Sequence, residues 1–117
     1  MEARAIQRTV RQSPHKMRLV VDLIRGKPVG EAISILKFSK KGAARQVSKV
    51  LLSAVSNARQ KAEAASERLD EDDLMVKTVT VDEGPALKRY MPAAQGRGTP
   101  IRKRTSHVTI LVASKEH

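Results

Sequence analysis

The chain has no cysteine and no tryptophan, and only one phenylalanine and one tyrosine. Without cysteine there are no disulfides, no thiol nucleophile and no Cys-based zinc site. The shortage of aromatics bears on nucleic-acid binding. Proteins that hold single strands usually stack bases on aromatic side chains. A binder with this composition has to work mainly through phosphate charge and shape. Long apolar runs are also missing. The stretch from Ile110 to Ala113 is typical, far short of the ~20 residues a membrane span needs. The apolar stripes described below lack Trp or Phe anchors, so no membrane partner is expected. The opening Met1-Glu2-Ala3-Arg4 has no apolar region behind it, so no signal peptide is expected. The expected location is the cytoplasm.

Acidic residues are the next scarcity. Asp and Glu total 12 against 23 Lys and Arg, a formal charge of +11 on 117 residues. That length fits one domain, residues 1–117, with a core of modest size. So large an imbalance makes the compact state repel itself. Acidic residues would serve solubility at least as well. The imbalance therefore points to a polyanionic partner.

Along the chain, residues 2–10 read as a strand, with Arg4, Ile6, Arg8 and Val10 on one face. Ser13-Pro14 is a helix start: Ser caps, and Pro at the first helical position forfeits no needed donor. Met17, Val20, Val21 and Ile24 follow as one apolar stripe, and Gly26 is the stop. A short second helix begins at Pro28, with Val29, Ala32, Ile33 and Leu36 inward, and ends near Ser39. The third helix, 43–66, carries the stripe Val47, Val50, Leu51, Ala54, Val55 and Ala58. An acidic turn, 69–74, lacks the ligand spacing of a calcium loop. From 75 to 83 the period becomes two. Val76, Thr78, Thr80 and Asp82 face one way; Met75, Lys77, Val79 and Val81 face the other and form the better core candidate. A last β-branched strand runs from 107 to 113.

Residues 84–107 are the most unusual stretch. They include Lys88, Arg89, Arg97, Arg102, Lys103 and Arg104, no acidic residue, and three of the five prolines. A strand enters and a strand leaves. A basic loop fits this pattern, and so does a two-stranded ribbon with Ala94, Gln95 and Gly96 near its tip. Paired from Val76 onward, such an arm would reach about 60 Å at ~3.3 Å per residue. Isolated hairpins are marginal, and Pro85, Pro92 and Pro100 remove ladder donors. A partner of opposite charge would order it.

Catalytic groupings are not found. Ser106 and His107 are neighbours on a strand and point apart. His15, His107 and His117 share no ligand spacing, and Glu63 and Glu67 sit on a solvated helix face. Gly96-Arg97-Gly98 is too short to cradle phosphate. Neither an enzyme nor a cofactor is expected.

Three strings carry a resemblance. They are Ser13-Pro14-His15-Lys16-Met17-Arg18-Leu19-Val20-Val21-Asp22-Leu23-Ile24-Arg25-Gly26-Lys27, then Val81-Asp82-Glu83-Gly84-Pro85 with Leu87-Lys88-Arg89, then Lys103-Arg104-Thr105-Ser106-His107-Val108-Thr109. In this order, in a basic chain of this length, they resemble the bacterial large-subunit ribosomal protein family numbered twenty-two. The resemblance implies an α+β fold: three helices packed on a small antiparallel sheet, with a long protruding β-hairpin at 84–107. It implies binding to large-subunit ribosomal RNA and contact with neighbouring ribosomal proteins. It also implies a hairpin tip in the wall of the nascent-peptide exit tunnel, where the growing polypeptide passes. On that resemblance Leu87, Lys88, Arg89, Gln95, Gly96 and Arg97 line the tunnel, and Lys88, Arg89 and Arg97 meet RNA or the lumen. Arg102, Lys103 and Arg104 grip RNA along the returning strand. Arg4, Arg8, Arg11, His15, Lys16, Arg18, Arg25 and Lys27 are the body contacts. The chain departs from the family pattern at His15, Ala93 and Gln95, where the family often has basic residues. The competing function is a histone-like architectural DNA-binding protein, which also pairs a helical body with basic β-arms. Preference for structured ribosomal RNA over duplex DNA separates the two.

Overall fold

The computed structural model describes residues 2–68, 73–85, 87–92 and 98–114; in 87–92 and 98–103 the description stops at the backbone and its pairing. The acidic residues 70–72 and the arm tip, with Gln95, Gly96 and Arg97, lie outside the described residues. The elements in order are β1 (Glu2–Val10), α1 (Pro14–Ile24), α2 (Val29–Phe38), α3 (Gly42–Ala64), β2 (Leu74–Glu83), β3 (Leu87–Pro92), β4 (Gly98–Lys103) and β5 (Ser106–Ser114).

Local chemistry marks both ends of α1 and the end of α3. Ser13 is extended and its side chain accepts from the Lys16 N–H, with Pro14 opening α1. Gly26 follows the last turn at φ +75°, the left-handed position that glycine occupies without a Cβ penalty. Helix α3 ends two residues earlier than the sequence pattern suggests. Ser66 takes φ +54°, and the Glu67 N–H reaches back to the Ala62 carbonyl at 2.9 Å. This is a Schellman-type ending with serine in the glycine position.

One face of an antiparallel sheet ordered β1-β5-β2 receives the helices. From α1, Met17, Val20, Val21 and Ile24 are buried; from α3, Val47, Val50, Leu51, Ala54, Val55 and Ala58 are buried. They meet Ala3 and Ala5 of β1, Val108, Ile110 and Val112 of β5, and Leu74, Val76, Val79 and Val81 of β2 in one cluster. Each fully buried Val, Leu or Ile contributes roughly 1.5–3 kcal/mol of transfer free energy. The small residues on β1 and along α3 let helix and strand approach closely.

Two strand faces differ from simple alternation, and both differences are bulges. In β2 the register against β5 shifts between Val76 and Thr78. The buried residues are therefore Leu74 and Val76 before the shift and Val79 and Val81 after it, while Lys77 is exposed and Met75 only half-buried. The expected inward face of Met75, Lys77, Val79 and Val81 is thus correct only in its second half. An extra residue on one strand flips everything beyond it. In β1 the shift lies between Gln7 and Val10, with Thr9 at φ +57°. Arg4, Ile6 and Arg8 share the outer face as expected, but Val10 turns inward and is buried. The bulge is held by His107, whose Nδ1 accepts from the Thr9 N–H at 2.9 Å.

Both edges of this sheet are closed by helix side chains. On the β1 edge, Asn57 and Lys61 of α3 donate to the carbonyls of Arg4 and Glu2 at 2.9 and 2.8 Å. On the β2 edge, Arg18 and Arg25 of α1 donate to the carbonyls of Val81 and Val79 at 3.1 and 2.7 Å. The chain after α1 completes that edge through Gly26 and Lys27, which exchange backbone bonds with Val76. Edge carbonyls that would template aggregation are thereby occupied. Glu2 bonds Lys77 across the outer face; that hydrogen bond, and the charge behind it, holds the Glu2 carboxyl below its ordinary range.

Candidate nucleic-acid interface

The arm grows directly out of β2 and β5. Glu83 pairs with Ser106, the Gly84 N–H donates to the Thr105 carbonyl at 2.9 Å, and pairing resumes from Leu87↔Lys103 to Pro92↔Gly98. The root is tight. Thr105 is fully buried and its hydroxyl donates to the Pro85 carbonyl at 2.6 Å. A Cβ on Gly84 would lie 2.5 Å from that same hydroxyl oxygen. Only glycine fits, which gives the Glu83-Gly84-Pro85 string a packing reason. The molecule measures 66 × 27 × 17 Å with a radius of gyration of 17.6 Å, against ~13 Å for a compact chain of this length.

The end of the body from which the arm springs gathers several elements. Val10 and Glu83 both pair with Ser106, and the buried Ser106 hydroxyl donates to the Gln12 carbonyl at 2.6 Å. Gly42, at the head of α3, faces the Gln12 side chain, 3.9 Å from where its Cβ would stand. Because Asn57 and Lys61 reach Arg4 and Glu2, α3 runs antiparallel to β1. Because Arg18 meets Val81 and Gly26 meets Val76, α1 also points its N-terminus toward the arm root. Two helix N-termini, each with a partial positive charge, therefore share one end.

The expected body contacts divide accordingly. Arg8, Arg11, His15 and Lys16 are all exposed at this end, and no carboxylate pairs with them among the described residues. Arg104 stands at the root, exposed, with Glu83 at 4.0 Å; Asp82 and Glu83 are the carboxylates beside it. Arg4 is not part of this cluster, since its register partner Leu111 lies further along the sheet. Arg25 and Lys27 sit at the opposite end of α1, where Arg25 also meets Asp22 at 3.4 Å and Lys27 meets Glu31 at 3.9 Å. Arg18 and Arg25 hold the β2 edge, and each guanidinium keeps further N–H donors. In the arm, Lys88 stands opposite Arg102 in register and Leu87 opposite Lys103. Like charges directly opposite one another destabilise a strand pair.

Ser106 and His107, the nearest approach to a catalytic pair in the sequence, are structural: one hydroxyl donates to Gln12, one imidazole accepts from Thr9. A basic corner between α2 and α3, around Lys40 and Lys41, was not among the expected contacts. Its signal was the missing acids around it rather than any motif.

Known proteins match nearly the whole chain. The family model described as ribosomal protein L22p/L17e matches residues 5–113. The chain is 57% identical over 116 residues to the large ribosomal subunit protein uL22 of Bifidobacterium animalis subsp. lactis (strain AD011), covering 99% of this chain and 98% of that one. It is 55% identical, with the same coverage, to the large ribosomal subunit protein uL22 of Bifidobacterium longum (strain DJO10A).

Proposed function

Because the chain belongs to the ribosomal protein L22p/L17e family, we propose that its cationic arm-root end and its arm both lie against large-subunit ribosomal RNA. The coarse role follows from the family: a structural constituent of the large subunit of the cytoplasmic ribosome, with RNA and other ribosomal proteins as neighbours. The finer reading rests on one observation. Exposed cations and two helix N-termini sit at the end of the body from which a positively charged two-stranded arm projects.

The physical sequence is short. Arg8, Arg11, His15 and Lys16 meet phosphates beside the α1 N-terminus, where backbone N–H groups and the helix dipole favour anions. Arg104, with Arg102 and Lys103, follows the RNA onto the returning strand, and Lys88 and Arg89 follow it on the outgoing one. Phosphates between facing cations such as Lys88 and Arg102 convert their repulsion into attraction. Arg4, Arg18, Arg25 and Lys27 extend the footprint along the sheet edges. Counterions released from the RNA supply much of the free energy, so binding weakens steeply with salt. The tip, with Gln95, Gly96 and Arg97 between Leu87-Lys88-Arg89 and the returning strand, lines the peptide exit tunnel and faces the nascent chain.

A competition experiment tests the RNA assignment. Full-length protein is bound to protein-free large-subunit ribosomal RNA and challenged with duplex DNA of equal nucleotide concentration. The RNA should be retained; displacement by DNA at parity would return the histone-like reading.

A further inference from the structure

We infer that the corner between α2 and α3 is an additional RNA contact in which an unpaired base stacks on Phe38 while the surrounding lysines hold the adjoining phosphates. This rests on the ribosomal-RNA reading above and adds to it a surface, a mode of contact and a set of residues outside the arm-root cluster.

The sequence around the corner is unusual once its place in the fold is known. From residue 32 to residue 62 there is no Asp or Glu, yet there are seven Lys and Arg. Five of them, Lys37, Lys40, Lys41, Arg45 and Lys49, line one open groove formed by the end of α2, the connection and the first turns of α3. All five are exposed, and none has a carboxylate partner among the described residues. Concentrating five like charges around a concavity is unfavourable in the free protein. A polyanion in the groove reverses the sign.

Phe38 supplies the second observation. It is the chain's one phenylalanine, and it is 80% exposed at the last residue of α2. Burying such a side chain would stabilise the fold, and here that contribution is forgone. Phe38 is flanked in the chain by Lys37 and Ser39, which both line the groove, and the Lys37 ammonium lies 6.0 Å from the ring centroid. An apolar partner surface would suit the ring but not Lys37 beside it or the other four cations of the neighbouring groove. A nucleotide suits both, offering a π-face to the ring and phosphate to the lysines. The head of α3 adds to the field: Lys41 makes no side-chain cap and the first turn has no acidic residue. The composition as a whole leaves phosphate and shape to dominate binding; at this corner one aromatic platform joins them.

The test uses the full-length chain, protein-free large-subunit ribosomal RNA and a salt series. Phe38→Ala should weaken binding roughly 5- to 150-fold with an unchanged salt slope, since stacking contributes ~1–3 kcal/mol per base, and Phe38→Tyr should restore it. Replacing Lys37, Lys40, Lys41, Arg45 and Lys49 by Gln should flatten the slope by about 0.7–0.9 for each phosphate no longer neutralised. Ultraviolet crosslinking of the assembled large subunit should place a nucleotide on the peptide containing Phe38. Wild-type binding by both corner variants, while an arm variant with Lys88, Arg89, Arg102, Lys103 and Arg104 changed to Gln binds weakly, would overturn this inference and leave the broader reading standing. If the arm variant also binds like wild type, the broader reading falls as well. A crosslink from Phe38 to another ribosomal protein would overturn the base-stacking assignment.

Discussion

At the scale of single residues, the fold is pinned by a few positions that composition does not announce. Gly84 is the sharpest. A side chain there collides with the Thr105 hydroxyl that closes the arm root. Gly84→Ala should cost about 1–3 kcal/mol, the usual range for overpacking, read as a lowered urea midpoint with unchanged m-value. Ser66 offers the opposite case. It holds the left-handed position after α3 without being glycine, and an L residue there carries a penalty of roughly 1–2 kcal/mol. Ser66→Gly should therefore stabilise the protein by about 0.5–1 kcal/mol; a loss of stability on the same measurement would count against the Schellman-type ending. Glu2, held below its usual pKa by Lys77, contributes whatever stability it has at neutral pH. That contribution fades as pH falls through its lowered value, and at an exposed site it is small.

At the scale of elements, the helices were legible in the sequence and the strand faces only partly so. Ser13-Pro14, Gly26 and the stripes of α1 and α3 are local signals, and the core uses each of them. Strand faces depend on register, and register depends on the partner. Nothing local in Val76-Lys77-Thr78 or Arg8-Thr9-Val10 announces a bulge, because each bulge exists only against β5, which lies far along the chain from both. The arginines of α1 illustrate the same limit. Arg18 and Arg25 read as RNA contacts in sequence, yet each also donates to a β2 carbonyl that becomes available only when the sheet ends there. The bulge makes a clear prediction. Val76→Ala should cost about 1–3 kcal/mol, as deletion of buried methyl groups does, whereas Lys77→Ala should stay within about 0.5 kcal/mol. Equal costs at the two positions would mean that the register is not as described. The corner between α2 and α3 was missed for a related reason: the cations from Lys37 to Lys49 form one groove only after two helices fold against each other.

At the scale of the whole molecule, the arm and the body divide the work. The body has its own buried cluster, drawn from β1, β2, β5 and the three helices. Deleting residues 88–104 and joining the strands by a short turn should leave the far-UV CD signal of a folded α+β body. An unfolded spectrum would show that the arm is part of the core. The arm's ladder sets Lys88 opposite Arg102 in register, a repulsion that an anionic partner would relieve. The most direct measurement is retention in large ribosomal subunits after a high-salt wash. Wild-type protein is compared with a full-length variant in which Lys88, Arg89, Arg97, Arg102, Lys103 and Arg104 are all Gln. The expected result is near-complete retention of the wild type and a loss of the variant of about tenfold or more. Equal retention of the two would contradict the claim that the arm's positive charge anchors this protein on RNA.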